Sequence, residues 1–242
     1  VKPEARPGSR WWWLGSAVDK DNLNYNLKEY GKAGLGSLEV TPIYGVKGNE
    51  SHNLCFLSPE WMEMFRYTQE VGKTNGIDID MNTGTGWPFG GPEVSLSQAA
   101  AKAIFECYEV KGGEPVKLEI NIRDPKEQKQ RDVAYLDCLT KKVKDGYLQW
   151  NAPTGDWQLV ALFVGRTFQK VKRAAPGGEG YVMDHFSPVS VKSYFEKFDK
   201  AFKTNKVNFP RTFFNDSYEV YGADWTPAFL KEFAARRGYR LE

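Results

Sequence analysis

The chain has 242 residues, of which 41% are hydrophobic and 26% are charged, and its formal net charge is +2. This composition is typical of a globular chain that buries a substantial core, and it excludes a disordered protein. Because 33 Lys and Arg residues stand against 31 Asp and Glu residues, charge alone gives no reason to expect nucleic acid or an acidic membrane as a partner.

The first 95 residues alternate predicted strands with predicted helices. Short apolar runs predict three strands, at 10–14, 37–41 and 77–82. Apolar residues at helical spacing predict a helix after each of the first two strands. The first helix opens near Asp19, and the second opens at Ser58, which is followed by a proline at the first helical position. Strands separated by helices of this length predict parallel pairing with right-handed crossovers.

Residues 103–165 have a different pattern, in which short apolar runs are separated by polar turns. The runs lie at 104–108, 116–120, 147–150 and 157–162. Several of them alternate apolar with polar residues, which favours half-exposed antiparallel strands. We therefore predict an inserted antiparallel β-subdomain.

The pattern of strands and helices resumes after the insertion. A helix is predicted after Ser187, a fourth core strand at 211–217, and a last helix from Thr226 to Gly238. The predicted fold class is therefore α/β, a partial (β/α)8 TIM-like barrel of about four β/α units. Its predicted domains are 1–100 with the first three units, 101–168 with the inserted β-subdomain, and 169–242 with the return to the barrel and the fourth unit.

A closed (β/α)8 barrel takes typically about 250 residues without insertions, and this chain spends a quarter of its length on the insertion. We therefore predict half a barrel. The two edge strands of a four-stranded parallel sheet carry unpaired backbone groups, which natural proteins usually cover. We therefore expect the remainder of the barrel as a partner of this chain. A complete four-stranded open sheet is the alternative.

The segment 213–219 begins apolar and then turns acidic and polar. Asp216 and Glu219 stand where the fourth predicted strand meets its loop, and that end of a barrel strand carries catalytic acids. Glycoside cleavage needs a carboxyl group that protonates the leaving oxygen, so this pair is a candidate general acid with a neighbouring group. Alternatively, the two residues have no catalytic role and simply lie near the start of a helix, where the helix dipole favours acidic side chains.

Polar and aromatic residues at the ends of the other strands are candidates for substrate binding. Alternation places Asp80 and Asn82 on one face of the third strand. There they either contact a ligand or lie on an ordinary solvent-facing edge. Glu39 on the second strand and Tyr44 in the following loop are candidates for hydroxyl recognition.

Two further substrate-binding candidates lie in loops. Trp87 lies in the glycine-rich stretch 83–91, which lacks the spacing of a phosphate loop, so we predict a sugar-stacking role for it or plain packing beneath the loop. His185, next to Asp184, is predicted either to contact substrate or to be a structural histidine.

The sequence carries no motif of a zinc hydrolase or a serine hydrolase. His52 and His185 lack the spacing of a helical metal motif, and there is no G-x-S-x-G nucleophile elbow. Cys55, Cys107 and Cys138 are widely spaced and odd in number, which indicates neither a disulfide framework nor a CxxC metal site.

Four ordered stretches carry a family resemblance: 7–13 (PGSRWWW), 39–45 (EVTPIYG), 80–88 (DMNTGTGWP) and 215–219 (NDSYE). Together they resemble the α-L-rhamnosidases of glycoside hydrolase family 106, and the match spans nearly the whole chain outside the insertion. The resemblance implies a (β/α)8 catalytic domain that removes terminal α-linked rhamnose from plant polysaccharides with inversion, usually with calcium. It does not identify the metal ligands.

Carried over by motif, the resemblance implies that Glu219 is the general acid, with Asp216 supporting it. The resemblance also implies that the general base comes from a later strand, beyond Glu242. An inverting pair stands about 6.5–9.5 Å apart, so the acid and the base must flank the sugar from separate positions. We therefore expect the chain alone not to hydrolyse rhamnosides. Two alternatives stay open: a glycosidase of other sugar specificity, and a carbohydrate-binding or structural remnant without catalysis.

The resemblance also implies a location and a partner. Members of the family are secreted or periplasmic bacterial enzymes, and the partner is a carbohydrate substrate. No apolar run approaches the roughly 20 residues that cross a bilayer, so no membrane span is expected. The N-terminal residues 1–4 lack an apolar signal core, and we expect that any export signal has been removed.

Overall fold

The computed structural model describes residues 5–123, 139 and 142–241. The chain divides into two compact units. The parallel-sheet unit comprises Val1–Ala99 and Phe168–Val220, and the antiparallel unit comprises Ala100–Thr167 and Tyr221–Glu242. The described elements form a mixed α/β structure with several sheets.

In chain order the elements are β1 (Gly8–Leu14), α1 (Lys20–Lys32), β2 (Ser37–Ile43), α2 (Pro59–Thr74), β3 (Asp78–Asn82), β4 (Gly90–Gly91), β5 (Ala101–Lys111), β6 (Pro115–Glu119), β7 (Val143–Lys144), β8 (Tyr147–Asn151), β9 (Asp156–Arg166), β10 (Tyr181–Val182), α3 (Pro188–Asn205), β11 (Phe213–Phe214) and α4 (Phe229–Arg237). Two short 3-10 turns, Glu50–His52 and Leu96–Gln98, lie in the loops.

The central sheet has four parallel strands in the order β1-β2-β3-β11. The fourth strand is much shorter than the predicted 211–217. Its pairing with β3 ends at Phe214, whose carbonyl accepts a hydrogen bond from the Thr83 N–H at 2.9 Å. The Asn, Asp and Ser residues that follow are turn-forming types, and they leave the sheet as a loop.

The helices of this unit begin at side-chain caps. Asp19, Ser58 and Ser187 each accept a hydrogen bond from the backbone N–H three residues further on, which satisfies one of the unpaired donors of the first turn. Pro59 and Pro188 occupy the first helical position, where the missing N–H costs nothing. The sequence therefore defines where these helices start.

The three long helices cover one face of the parallel sheet with a core rich in aromatic residues. Trp13 of β1 is 1% exposed, and its ring centre lies 5.6 Å from that of Trp61 of α2. The Trp61 ring stacks on Phe65 of the same helix. Trp12 points the other way and is 52% exposed, as strand alternation requires. The sheet therefore has an apolar face beneath the helices and an opposite face that carries the polar residues.

The antiparallel unit contains a two-stranded ribbon, β5 with β9, and a three-stranded sheet in the order β6-β8-β7. The sequence pattern predicts 221–242 as part of the barrel, whereas the structure groups these residues with the antiparallel strands. The reason is packing: Trp225, Phe229 and Leu230 lie against the apolar end of the ribbon around Leu162.

The described residues show the state of two of the three cysteines and whether any helix could span a membrane. Cys55 and Cys107 are free and exposed, whereas Cys138 lies outside the described residues. No helix in the described part of the chain combines the length and the apolar character that a membrane span requires.

Tyr194 of α3 fixes the glycine-rich loop that follows β3. Its hydroxyl is within hydrogen-bond distance of the Thr83 carbonyl at 2.8 Å and of the Gly90 carbonyl at 3.2 Å. A Cβ at Gly84 would collide with this hydroxyl, which explains the glycine. Burial raises the pKa of Tyr194, so the hydroxyl stays protonated and can donate. The helix layer thereby holds the loop at both of its ends.

Replacing Tyr194 by Phe is expected to lower the free energy of unfolding by about 1–3 kcal/mol, because buried carbonyls lose a donor. Chemical denaturation of the variant measures this loss. Tyr25→Phe is the matched control, since Tyr25 is 64% exposed and its change should stay within about 0.5 kcal/mol. Equal effects of the two substitutions would contradict the role given to Tyr194.

Candidate active site

The face of the parallel sheet opposite the helices carries a row of charged residues. Strand register sets Arg10 of β1 beside Glu39 of β2, and Glu39 beside Asp80 of β3. Alternation places all three on the same face as the exposed Trp12. The row therefore runs across the sheet, one charged side chain on each of three neighbouring strands.

Asp80 is the most heavily bonded carboxylate of the row. Its side chain is 11% exposed and accepts hydrogen bonds from Arg211 Nε at 3.0 Å and Arg211 Nη2 at 2.6 Å. It also accepts from the N–H of Thr212 at 3.1 Å and from the Thr212 hydroxyl at 2.8 Å. These bonds make Asp80 the anchor of the segment that leads into β11.

Glu39 is bonded on two sides and is poorly hydrated. Its Oε1 accepts a hydrogen bond from the Thr41 hydroxyl at 2.9 Å and lies 3.3 Å from Arg10 Nε. Burial raises the pKa of Glu39, and the Thr41 bond and the charge of Arg10 only partly oppose that effect. Glu39 is therefore a carboxyl group whose charge is sensitive to what binds on this face.

Arg10 reaches from the first strand of the sheet to the loop after the last. Its Nη1 lies 2.6 Å from Asp216 Oδ2, and its guanidinium carbon lies 5.2 Å from the centre of the Phe214 ring. β1 and β11 are the outer strands, and three strand spacings in a flat sheet amount to about 14 Å. The side chains of Arg10, Phe214 and Asp216 together bridge that distance across the charged face, so they tie the loop after β11 to β1.

The loop after β11 presents two kinds of polar group. Glu219 is exposed, and within the described residues its carboxylate has no hydrogen-bond or ion-pair partner; its backbone carbonyl accepts from Gln169 Nε2 at 2.8 Å. Asn215 Oδ1 and Ser217 Oγ are buried without a partner in the described part of the chain. Buried polar atoms of this kind gain free energy when a partner hydroxyl or amide reaches them.

The loops after β2 and β3 place Tyr44, Asn82 and Trp87 at the same end of the sheet. Asn82 is buried and serves the loop itself, donating to the Gly86 carbonyl at 3.2 Å and accepting from the Thr83 N–H at 2.9 Å. Trp87 is partly exposed, and Tyr44 is 42% exposed. Of the three, the two aromatic residues are available to a ligand.

His185 sits in an aromatic cluster. Its ring centre lies 4.7 Å from that of Phe89 and 5.0 Å from that of Tyr218. Burial lowers the pKa of His185 to about 4, against a smaller opposite effect of a hydrogen bond that the imidazole donates to the Met183 carbonyl. The imidazole is therefore neutral at physiological pH, and its buried Nε2 has no partner among the described residues.

Four residues that shape this site were not among the site residues predicted from the sequence. Arg10 and Arg211 pair with the carboxylates of the row, and Phe89 and Tyr218 flank His185. Arg10 alternates with Trp12 on a strand, which is a signal that it shares the polar face. No local signal marks Arg211, because its partner Asp80 lies 131 positions earlier in the chain.

The calcium that the family resemblance implies stays an expectation without assigned ligands. The described residues contain no group of three or more His, Cys, Asp or Glu side chains that could hold a metal ion. The two carboxylates of the charged row are occupied by Arg10, Thr41, Arg211 and Thr212. We therefore assign no step to a metal.

Asp80→Asn is expected to lower the free energy of unfolding by about 3 kcal/mol, because it removes the charge of a buried carboxylate that accepts hydrogen bonds from Arg211 and Thr212. Asp78→Asn is the matched control on the same strand. Asp78 is 44% exposed and makes a single 3.1 Å contact with Arg211, so its loss should stay below about 1 kcal/mol. Urea denaturation measures both, and similar losses would refute the anchoring role of Asp80.

His185 is expected to titrate with a midpoint near pH 4, because burial disfavours its charged form. Its folded pKa lies below the ordinary value of 6.5, so the unfolded chain binds more protons between these values. The free energy of unfolding should therefore fall as the pH drops from about 6.5 to about 4. NMR of the two histidine C2 protons and denaturation of His185→Gln measure both effects; in the variant, less stability should be lost over this range than in the parent, with His52→Gln as control.

Comparison with known proteins places this geometry in a family. The alpha-L-rhamnosidase model of glycoside hydrolase family 106 matches residues 2–137 and 122–242. A curated protein of Formosa agariphila, described as a putative beta-glucuronidase, is 24% identical over 292 aligned residues, which cover 99% of this chain and 25% of that protein. A solved rhamnosidase from Novosphingobium sp. PP1Y superposes with a TM-score of 0.78 at 15% identity, over 99% of this chain and 41% of that one.

The chain thus spans a quarter of the length of the curated relative and less than half of the solved rhamnosidase. At 15% identity the solved structure shows a shared fold and no more. The family match, in contrast, covers nearly every residue and confirms the resemblance carried by the four motifs. The chain belongs to glycoside hydrolase family 106, the alpha-L-rhamnosidases, and is a glycoside hydrolase-like protein.

Proposed function

We propose that this chain is part of an α-L-rhamnosidase that cleaves terminal α-L-rhamnosyl linkages of plant-type polysaccharides by inverting general acid/base hydrolysis. The observation that carries the proposal is the state of the two acidic residues after β11. Asp216 is paired with Arg10 at 2.6 Å, whereas Glu219 is exposed and unpaired in the described part of the chain. In a family whose chemistry needs a carboxyl group that donates a proton, Glu219 is the one free to do so.

Asp216 and Arg10 act on this proton donor through position. The 2.6 Å ion pair ties the loop of Glu219 to β1, and the Phe214 ring packs against the same guanidinium. The Gln169 amide holds the Glu219 carbonyl from the other side. The backbone that carries the acid is therefore held at three points while its carboxyl group stays free.

An inverting reaction also needs a general base about 6.5–9.5 Å from the acid, with a water between it and the sugar. We propose that the base comes from chain beyond Glu242. The relatives support this, because the solved rhamnosidase is more than twice as long as the part that this chain matches. The 242-residue chain then supplies the acid half of the site.

The same reasoning supports a partial (β/α)8 barrel. The helices lie on one face of the four parallel strands, the charged row lies on the other face, and the acidic loop follows the carboxyl end of β11. This is how a barrel arranges its interior, its helical layer and its catalytic end. We propose that the remaining strands pair with the outer strands β1 and β11.

The cluster around His185 suits a 6-deoxy sugar. Phe89, His185 and Tyr218 form one apolar cluster with a neutral imidazole, and the Tyr218 ring, which is 70% exposed, can pack against a methyl group. We therefore favour a rhamnoside over the glucuronide that the name of the curated relative suggests.

Trp87 and Tyr44 complete the proposed binding face, because partly exposed aromatic rings stack on the apolar faces of sugar rings. We also propose that the enzyme works in the periplasm or after secretion. The support is the substrate: plant-type polysaccharides are too large to be taken up intact.

Glu219→Gln, made in a protein of the length of the relatives, is expected to lower kcat on rhamnosides with poor leaving groups by about a hundredfold or more, since general acid catalysis contributes roughly that factor. Rhamnosides with activated leaving groups need no protonation and should lose far less. Kinetics on the two substrate classes, with product analysis by NMR for inversion, measures the effect.

Glu196→Gln is the control, because Glu196 is exposed on α3 and should leave both rates unchanged. Near-normal turnover of unactivated rhamnosides by the Glu219 variant would show that Glu219 is not the general acid. Turnover of glucuronides alone would replace the rhamnoside assignment, and sugar binding without any turnover would favour a carbohydrate-binding remnant.

A further inference from the structure

Arg173 is a cation whose charge nothing in the described structure neutralises. No carboxylate lies within ion-pair distance of it among the described residues, unlike Arg10 and Arg211. Its guanidinium instead lies 4.9 Å from the centre of the Tyr44 ring. Stacking on an aromatic face leaves the planar edge of an arginine free to bind an oxyanion with two parallel hydrogen bonds.

The backbone under Arg173 is strained and firmly held. Its φ is +62°, a left-handed conformation that costs a non-glycine residue free energy. The Arg173 carbonyl accepts from the Tyr44 N–H at 3.0 Å, and Lys172 exchanges two backbone hydrogen bonds with Trp87 at 2.9 and 3.0 Å. The segment is therefore tied to the loops that follow β2 and β3.

Glycine at position 86 permits this arrangement. Gly86 has a φ of +54°, and a Cβ there would collide with the Lys172 carbonyl and with the backbone of Arg173. The Gly86 N–H also donates to the Pro42 carbonyl at 3.0 Å. Three loops thus meet by direct backbone contact, and they hold the arginine beside Tyr44 and Trp87 at the carboxyl end of the strands.

From this geometry we propose that Arg173, stacked on Tyr44, forms a subsite for an oxyanion on the substrate, next to the rhamnosyl residue. The proposal rests on the proposed function and narrows its substrate class to acidic glycans. The group is a uronate carboxylate or a sulfate ester, since both offer paired oxygens to a guanidinium edge. A neutral glycan would leave the arginine without a partner in a strained conformation.

Binding to the 242-residue chain tests the subsite without any need for turnover. Two NMR probes are used: a rhamnosyl-glucuronate disaccharide and the same disaccharide with its carboxyl group reduced to an alcohol. The acidic probe is expected to shift the Arg173 side-chain N–H and the Tyr44 ring signals with an affinity about tenfold above that of the reduced probe, the factor of a charge-assisted hydrogen bond. Added salt should reduce that preference.

Arg173→Gly is the decisive variant, because glycine tolerates a φ of +62° and should fold at least as well as the parent chain. It should lose the preference for the acidic probe and keep the affinity for the reduced one. Arg66→Gln, at an exposed position of α2, should change neither. A sulfated rhamnoside in a parallel titration decides which oxyanion binds more tightly.

Equal binding of the acidic and reduced probes, or an unchanged preference in Arg173→Gly, overturns the subsite. Either result leaves the rhamnoside assignment intact as long as the reduced probe binds. Loss of turnover in Glu219→Gln tests the general acid, whereas the titrations of the two probes test Arg173 by binding alone. The two proposals can therefore fail separately.

Discussion

The charged row on the open face of the parallel sheet is the constraint on which this unit depends. Glu39 and Asp80 are largely buried carboxylates, and such groups are tolerated only with cations and donors beside them. Arg10 and Arg211 supply that neutralisation from the first strand and from the segment entering the last. The pairs therefore neutralise buried charge, and at the same time they tie the loop after β11 to β1 and hold the segment that enters β11.

The apolar face could be predicted from local pattern, because helix caps and alternation are short-range signals. Asp19 and Ser58 mark their helices, and Trp12 points away from its two neighbours. The fourth strand could not be delimited in this way. The two residues before it, Arg211 and Thr212, are held by the side chain of Asp80, a contact over 131 positions that no local pattern encodes. The same holds for 221–242, which packs on the antiparallel ribbon through Trp225.

For the candidate site, the sequence identified the residue types but not their states. Asp216 and Glu219 look alike in the sequence, yet one is paired with Arg10 and the other has no partner in the described chain. Asn82 and Asp80 look alike on their strand, yet one braces a loop and the other anchors β11. Residue type and spacing predict where polar groups collect; only the partners across the sheet decide which of them remains free to react or bind.

That distinction applies to the cations as well. Arg10 and Arg211 serve geometry, because carboxylates of the same face neutralise them. Arg173 stands on strained backbone at a junction of three loops, with an aromatic ring beneath it and no carboxylate in reach among the described residues. The unneutralised charge, the ring beneath it and the junction of three loops act together here, and their combination is what supports an external anion as the partner of Arg173.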